Sequence, residues 1–244
     1  MPLTFLLAKD MRALNAHLKS RLVEAGASLV GFADISSLPV AVTGEMTSAI
    51  SIAVALDASI INEISEGPTQ RYHHEYTRAN ECLAHLCASA VNDLEQHGYR
   101  ASAIDPTIRI EGSAMKTLTT SLPHKTVATR AGLGWIGKSA LLITSSHGPA
   151  VRLASVLTDA PLDTANPIDD SRCGDCTSCV DRCPTKAILG KNWQKCTERE
   201  SIYNAHACCA MARRLAGAKD IPVTICGICI NACPWTQKYM SREL

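Results

Sequence analysis

Apolar residues recur along the chain at two spacings, one helical and one strand-like. Leu6, Leu7, Met11, Leu14, Leu18 and Leu22 repeat at helical intervals across residues 5–26, and Gly26 ends the pattern. The run ASLVGFA at 27–33 then reads as a strand, and ISIAVAL at 50–56 as a second, partly β-branched one. Residues 69–97 predict a long helix with Leu83, Leu86, Val91 and Leu94 on its inner face and Gly98 as its stop. A strand near 99–104, a short helix over about 123–131 and strands at 140–144 and 151–157 follow. Such alternation predicts an α/β domain over residues 1–160. From 158 to 170 the pattern breaks: TDAPLDTANPIDD carries two prolines and four aspartates and reads as a linker. A second, cysteine-rich module is expected over 168–240. The fold class is α+β, and the one internal echo is a pair of cysteine motifs.

Composition adds little to the fold and more to the class of function. The 244 residues are 46% hydrophobic and 19% charged, enough for a sizeable core in one or two domains. Lys plus Arg is 24 and Asp plus Glu is 23, so the chain has no overall basic footprint for nucleic acid. The apolar start, residues 1–7, is followed at once by Lys9, Asp10 and Arg12, too short a run for a signal core or a membrane span. A cytoplasmic, soluble protein is expected. The distribution of the 12 cysteines changes the picture most. Two, Cys82 and Cys87, precede residue 173, and the other ten fall between Cys173 and Cys233 inclusive. In a reducing compartment such a cluster reads as metal ligands rather than disulfides.

The spacing names the metal. Cys173-Gly-Asp-Cys176-Thr-Ser-Cys179-Val-Asp-Arg-Cys183-Pro184 is C-x2-C-x2-C-x3-C-P, the bacterial ferredoxin run whose fourth cysteine serves the other cluster. Cys226-Gly-Ile-Cys229-Ile-Asn-Ala-Cys233-Pro234-Trp235 repeats it with one local cysteine missing. Crossed ligation then gives cluster 1 to Cys173, Cys176, Cys179 and Cys233. Cluster 2 takes Cys183, Cys226, Cys229 and one remote cysteine. Cys196 is the choice for that position, with Cys208 and Cys209 as rivals. Structural zinc is the competing metal, because C-x2-C knuckles also hold zinc. Ile228 and Ile230 would dry the second cluster.

Upstream lies His124-Lys-Thr-Val-Ala-Thr-Arg-Ala-Gly-Leu-Gly-Trp-Ile-Gly-Lys-Ser139, in which Gly132, Gly134 and Gly137 form G-x-G-x-x-G. A dinucleotide loop needs strand, glycines, helix. Here the glycines follow a helix and precede a strand, so nicotinamide or flavin binding is not expected. Missing Cβ atoms would still let a large flat ligand lie against the backbone.

ATRAGLGWIGKSALLI, GPAVRLASVLTDAPL, CGDCTSCVDRCPTKAI and CGICINACPW, in that order, resemble the epoxyqueuosine reductases and, more distantly, the reductive dehalogenases. The match covers roughly residues 70–236. The resemblance implies a cobalamin held against the GLG loop, with the nearer [4Fe–4S] cluster passing electrons to cobalt. It implies that Gly132, Leu133, Gly134, Trp135, Ile136, Gly137 and Lys138 line the corrinoid site, and it supports Cys196 as the remote ligand. In two respects the chain departs from the family. The region where the family carries a proton-donating Asp reads Thr117-Leu118-Thr119-Thr120-Ser121, without a carboxylate. The helical repeats with which the family grips tRNA have no counterpart here, so tRNA is not an expected partner.

Remaining candidates each have a plainer alternative. His124 has a pKa suited to proton donation and is the chosen donor; a core histidine is the alternative. Arg152, Tyr72 and His73 are candidate contacts to the corrinoid or substrate, against surface or core roles. Glu111 is the nearest upstream carboxylate. Cys208 and Cys209 are vicinal thiols outside both motifs, and Cys82 and Cys87, five apart on a helix, read as packing. The expected function is an iron–sulfur oxidoreductase passing electrons through two [4Fe–4S] clusters to a corrinoid for reduction of an unknown substrate. An external donor of ferredoxin or flavodoxin type feeds it, and no membrane is involved. Alternatives are an electron-transfer partner or reductive activator of a separate corrinoid protein, and a two-cluster ferredoxin fused to a vestigial domain.

Overall fold

The computed structural model describes residues 3–107 and 117–244, and side chains from residue 11 onward within them; Glu111 lies outside the described residues. Helix α1 (Leu3–Glu24) leads into β1 (Leu29–Asp34), the short α2 (Val40–Thr43) and β2 (Ser48–Ala55). Then come α3 (Ala58–Asn62), the long α4 (Gln70–Gln96) and β3 (Ala101–Ile104). Helix α5 (His124–Arg130) precedes a two-stranded hairpin of β4 (Trp135–Ile136) and β5 (Leu142–Ile143), and β6 (Val151–Thr158) follows. The remaining helices are α6 (Ser178–Arg182), α7 (Arg199–Ile202), α8 (Ala205–Gly217), α9 (Ile228–Asn231) and α10 (Pro234–Glu243). The mixed α and β architecture agrees with the sequence pattern.

The chain divides into two compact units. One comprises residues 1–54, 80–133 and 152–167. It carries a sheet in the order β1-β2-β6-β3. Strands β1 and β2 pair antiparallel with Gly31 opposite Ser51, and β3 pairs antiparallel with β6, Ala101 opposite Thr158. Seven of the eight residues of β2 are buried, as befits an inner strand covered on both faces, which is why its sequence is a continuous apolar run. Leu18 and Leu22 of α1 are buried, and α1 and α5 both pack on β1. Gly31 makes the second contact possible: a Cβ there would lie 2.7 Å from the Ala131 carbonyl. Ala33, Ile35, Ala49, Leu122, Val127, Ala131 and Leu157 form this unit's apolar cluster.

The other unit comprises residues 55–79, 134–151 and 168–244. Two upstream segments, 55–79 and 134–151, fold with the cysteine-rich module. The Tyr239 hydroxyl donates to the Leu56 carbonyl (3.0 Å), and Asn231 Nδ2 donates to the Ile61 carbonyl (2.9 Å). Gly148 lies so close to α10 that a Cβ would stand 2.6 Å from the Thr236 amide nitrogen. The side chains of Trp135 and Trp235 meet edge to face at 5.3 Å, within an apolar cluster that includes Ile143, Cys173 and Cys233. Among the described residues no helix is long and apolar enough to cross a membrane.

Candidate metal centre

Short loops and single-turn helices bring the cysteines of this unit together. Cys173 stands ahead of a turn closed by the Cys176 amide on the Cys173 carbonyl (3.1 Å), and Cys179 lies in α6. Cys233 is the N-cap of α10, with Pro234 in its first turn, where the missing N–H costs nothing. The Cys173, Cys176, Cys179 and Cys233 side chains, with Cys229, Lys138, Ser139, Ile143, Pro234 and Trp235, wall a cavity of about 120 Å³. By the same measure ~10–15 Å³ holds one water. Burial, then the neighbouring Cys173, Cys233 and Cys176 thiols, push Cys179 up to about 11. The four thiols share this one cavity wall.

Cys183, Cys226 and Cys229 form a second grouping. Burial, then nearby Cys226, Cys208, Cys179 and Cys183, raise the Cys229 thiol. Cys226 is raised by burial and by Cys208 and Cys183. Burial also acts on Cys183, yet the backbone and hydroxyl of Thr185 and the amides of Ala187 and Ile188 bring it below its ordinary value. Backbone N–H groups two residues on likewise face the sulfurs of Cys226 (from Ile228) and Cys233 (from Trp235). Amides converging on sulfur stabilise thiolate, the form that ligates iron.

The remote position differs from the expectation. Cys196 is exposed and in the left-handed region (φ 70). Its strand of chain is bound elsewhere: the Lys195 amide donates to the Asp169 carbonyl (2.7 Å), the Ser171 amide to the Trp193 carbonyl (2.8 Å), and Asn192 Nδ2 to the Gly174 carbonyl (3.2 Å). Cys196 therefore sits by the start of the first motif, away from the second grouping. Cys208 is the cysteine that stands beside that grouping. The Asn204 amide donates to the Ala187 carbonyl (2.8 Å), Ile188 bridges Tyr203, and Cys208 follows in the first turn of α8, which Asn204 caps. These bonds hold Cys208 next to the segment that follows Cys183. The Tyr203 hydroxyl donates to the Cys208 sulfur, and burial with the charges of Cys208, Cys229 and Cys183 raises Tyr203. Cys209 is half-buried and Cys87 buried, the latter pushed up to about 12 by burial.

Two glycines of the glycine-rich segment lie tightly against their own unit. A Cβ on Gly134 would lie 2.1 Å from the Ile143 carbonyl oxygen. One on Gly137 would lie 2.7 Å from Ile143 Cγ1 and 3.4 Å from Cys173 Sγ. Gly134 and Gly137 thus admit the chain's own β5 and first motif. Trp135, Ile136 and Lys138 are buried, leaving Gly132 and Leu133 partly open. Lys138 Nζ donates to the Cys176 carbonyl (3.0 Å). Arg152 donates to Asn80 Oδ1 (3.0 Å) and the Pro106 carbonyl (3.3 Å). Tyr72 is buried, and His73 stacks loosely with His74, 5.9 Å between centroids.

His124 is braced by its own unit. Its Nε2 lies 2.9 Å from the Asp105 carbonyl, and its Nδ1 3.0 Å from Ser155 Oγ. A carbonyl can only accept, so Nε2 carries the hydrogen and Nδ1 of the neutral ring accepts from Ser155. Burial and, less strongly, the Arg152 charge lower its pKa, while the Asp105 carbonyl and carboxylate oppose. Both ring nitrogens are thus engaged by groups of the same unit.

Comparison with known proteins agrees with the thiol geometry. Residues 172–236 match the 4Fe-4S double cluster binding domain family. About half of the chain is similar in sequence to epoxyqueuosine reductases. It is 40% identical over 110 residues to the epoxyqueuosine reductase of Cyclobacterium marinum, covering 45% of this chain and 36% of that one. It is 36% identical over 130 residues to that of Staphylococcus aureus, covering 52% and 30%. The chain thus spans about a third of the length of these curated relatives. A solved epoxyqueuosine reductase from Bacillus subtilis superposes with a TM-score of 0.63 at 18% identity, over 93% of this chain and 66% of that one. The catabolic reductive dehalogenase NpRdhA gives 0.65 at 19%, over 89% and 31%. The two solved structures share the fold.

Sequence reasoning missed Lys138 and Trp135 as neighbours of the thiols. Trp135 Nε1 is buried and has no hydrogen-bond partner among the described residues. The only signal was that both follow Gly134 closely, in a segment that reads as a ligand loop.

Proposed function

We propose that this chain is an iron–sulfur oxidoreductase in which two [4Fe–4S] clusters carry single electrons from a ferredoxin- or flavodoxin-type donor to an acceptor. The two separate thiol groupings carry this reading. Cys173, Cys176, Cys179 and Cys233 hold the first cluster, and Cys183, Cys208, Cys226 and Cys229 hold the second. Four thiols per cubane, N–H groups aimed at the sulfurs and the orphaned Trp135 N–H fit such a cofactor. Each cluster, when bound, accepts and gives up one electron. The residues around them exclude water: Ile143, Pro234 and Trp235 beside the first, Ile228 beside the second.

The relatives' names suggest reduction of an electrophilic substrate, and one dehalogenase structure is described as B12-dependent. A corrinoid acceptor and a reducing compartment come to this chain on that resemblance. The buried segment 134–140 favours a second reading, in which the corrinoid belongs to a separate protein that this chain reduces.

Anaerobic reconstitution followed by iron and zinc counting and electron paramagnetic resonance (EPR) tests the clusters. About eight irons per chain and two interacting reduced-cluster signals are expected. Zinc in their place would refute the reading. Gel filtration with cob(II)alamin then separates the two acceptors: cobalt co-eluting with the chain supports its own corrinoid, and reduction without co-elution supports the partner role.

A further inference from the structure

Lys138 is 5% exposed, and its Nζ reaches the Cys176 carbonyl at the wall of the thiol-lined cavity. Among the described residues no carboxylate pairs with it. A buried ammonium without a counter-charge is strongly unfavourable, so such a group implies an anion at the same place. Trp135 Nε1, a second buried donor without a partner among the described residues, belongs to the apolar cluster containing Cys173 and Cys233. The anion that satisfies both is a cubane held by four thiolates, which carries net negative charge in both oxidation states and more when reduced.

We propose that Lys138 sets the reduction potential of the cluster held by Cys173, Cys176, Cys179 and Cys233, raising it above the value its four thiolates alone would give. The inference rests on the cluster reading above. It moves Lys138 from an expected ligand contact on a glycine loop to a charge built into the electron path. Reduction adds one electron, [4Fe–4S]2+ to [4Fe–4S]+, taken from the external low-potential donor; no bond forms or breaks. A fixed positive charge in a poorly screened site favours the more negative product. Electrons entering the unit would then collect on this cluster.

Two substitutions separate charge from contact. Lys138→Gln keeps a donor for the Cys176 carbonyl and removes the charge, whereas Lys138→Arg keeps the charge. Each full-length, reconstituted chain is titrated anaerobically with dithionite and mediators and followed by EPR. In Lys138→Gln one of the two one-electron steps should move to lower potential. Its reduced-to-oxidised ratio at fixed potential should fall ~10-fold, about 59 mV for a one-electron couple. The other step should hold, and Lys138→Arg should titrate as the unsubstituted chain does. A Gln variant with unshifted steps, or Gln and Arg variants shifted alike, overturns the proposal. Should Lys138→Gln take up no iron, Lys138→Arg decides: full iron and an unshifted step sustain the charge role, and loss of iron there too overturns it. An unsubstituted chain without cluster signals refutes the cluster reading itself.

Discussion

Single residues in this chain carry sharply different constraints, and the glycines show it. Gly134 faces a backbone carbonyl that cannot retreat without breaking the β4–β5 pair, because a Cβ would sit 2.1 Å from it. Gly134→Ala is expected to cost about 3 kcal/mol, the upper end for overpacking. Gly217, at the end of α8, has nothing within 4 Å of an added Cβ, and Gly217→Ala should be neutral or stabilising by about 0.5 kcal/mol. Urea midpoints of the two reconstituted variants check the contrast. His124 gives a pH signature instead. Its folded pKa lies below the ordinary value, chiefly through burial, so the unfolded chain binds the proton more tightly. Its contribution is present above about pH 6.5 and declines as pH falls toward the folded pKa. Thermal midpoints of the native chain should drop more between pH 7 and pH 5 than those of His124→Gln. Equal slopes would show that the ring is not held neutral.

At the level of elements, the chain's local pattern is a faithful guide where one segment satisfies itself. The 5–26, 69–97 and 151–157 patterns correspond to α1, α4 and β6, because period and burial coincide there. The rest depends on distant partners. The helical turn that presents Cys208 is placed by a carbonyl at Ala187 and a bridge from Ile188 to Tyr203, none of which spacing reveals. Seven of the eight proposed ligand positions follow from motif spacing, since the C-x2-C loop is itself the binding geometry. The eighth does not, because Cys196 and Cys208 both lie between the motifs and only long-range hydrogen bonds separate them. Cys208→Ala should therefore lower iron from about eight to about four per chain, whereas Cys196→Ala should retain the full count. The reverse pattern in an anaerobic iron assay would return the ligand to Cys196. The same limit applies to 132–138, where Gly134 and Gly137 read equally well as part of a ligand cradle or as room for Ile143.

For the molecule as a whole, the two units rest on different supports. The first has a four-stranded sheet and an apolar cluster of Ala33, Ile35, Ala49, Leu122, Val127, Ala131 and Leu157, enough to hold itself together. Beside α8, α10 and the start of α4, the second has helices of only four or five residues in α3, α6, α7 and α9 and a two-residue strand pair. Its apolar cluster includes Cys173 and Cys233 among its members. Helices so short gain little stability on their own, and small cores of this kind depend on cross-links or metal. Cluster binding free energy is then folding free energy for that unit. Removing iron under anaerobic chelation should strip hydrogen-exchange protection from residues 134–151 and 168–244 while β1, β2, β3 and β6 keep theirs. Uniform loss across both units would mean that the clusters stabilise the chain globally, and unchanged protection would mean that the cysteine-rich unit folds before it is loaded. A local loss is the expected result, because the thiols are part of one unit's core and absent from the apolar cluster of the other.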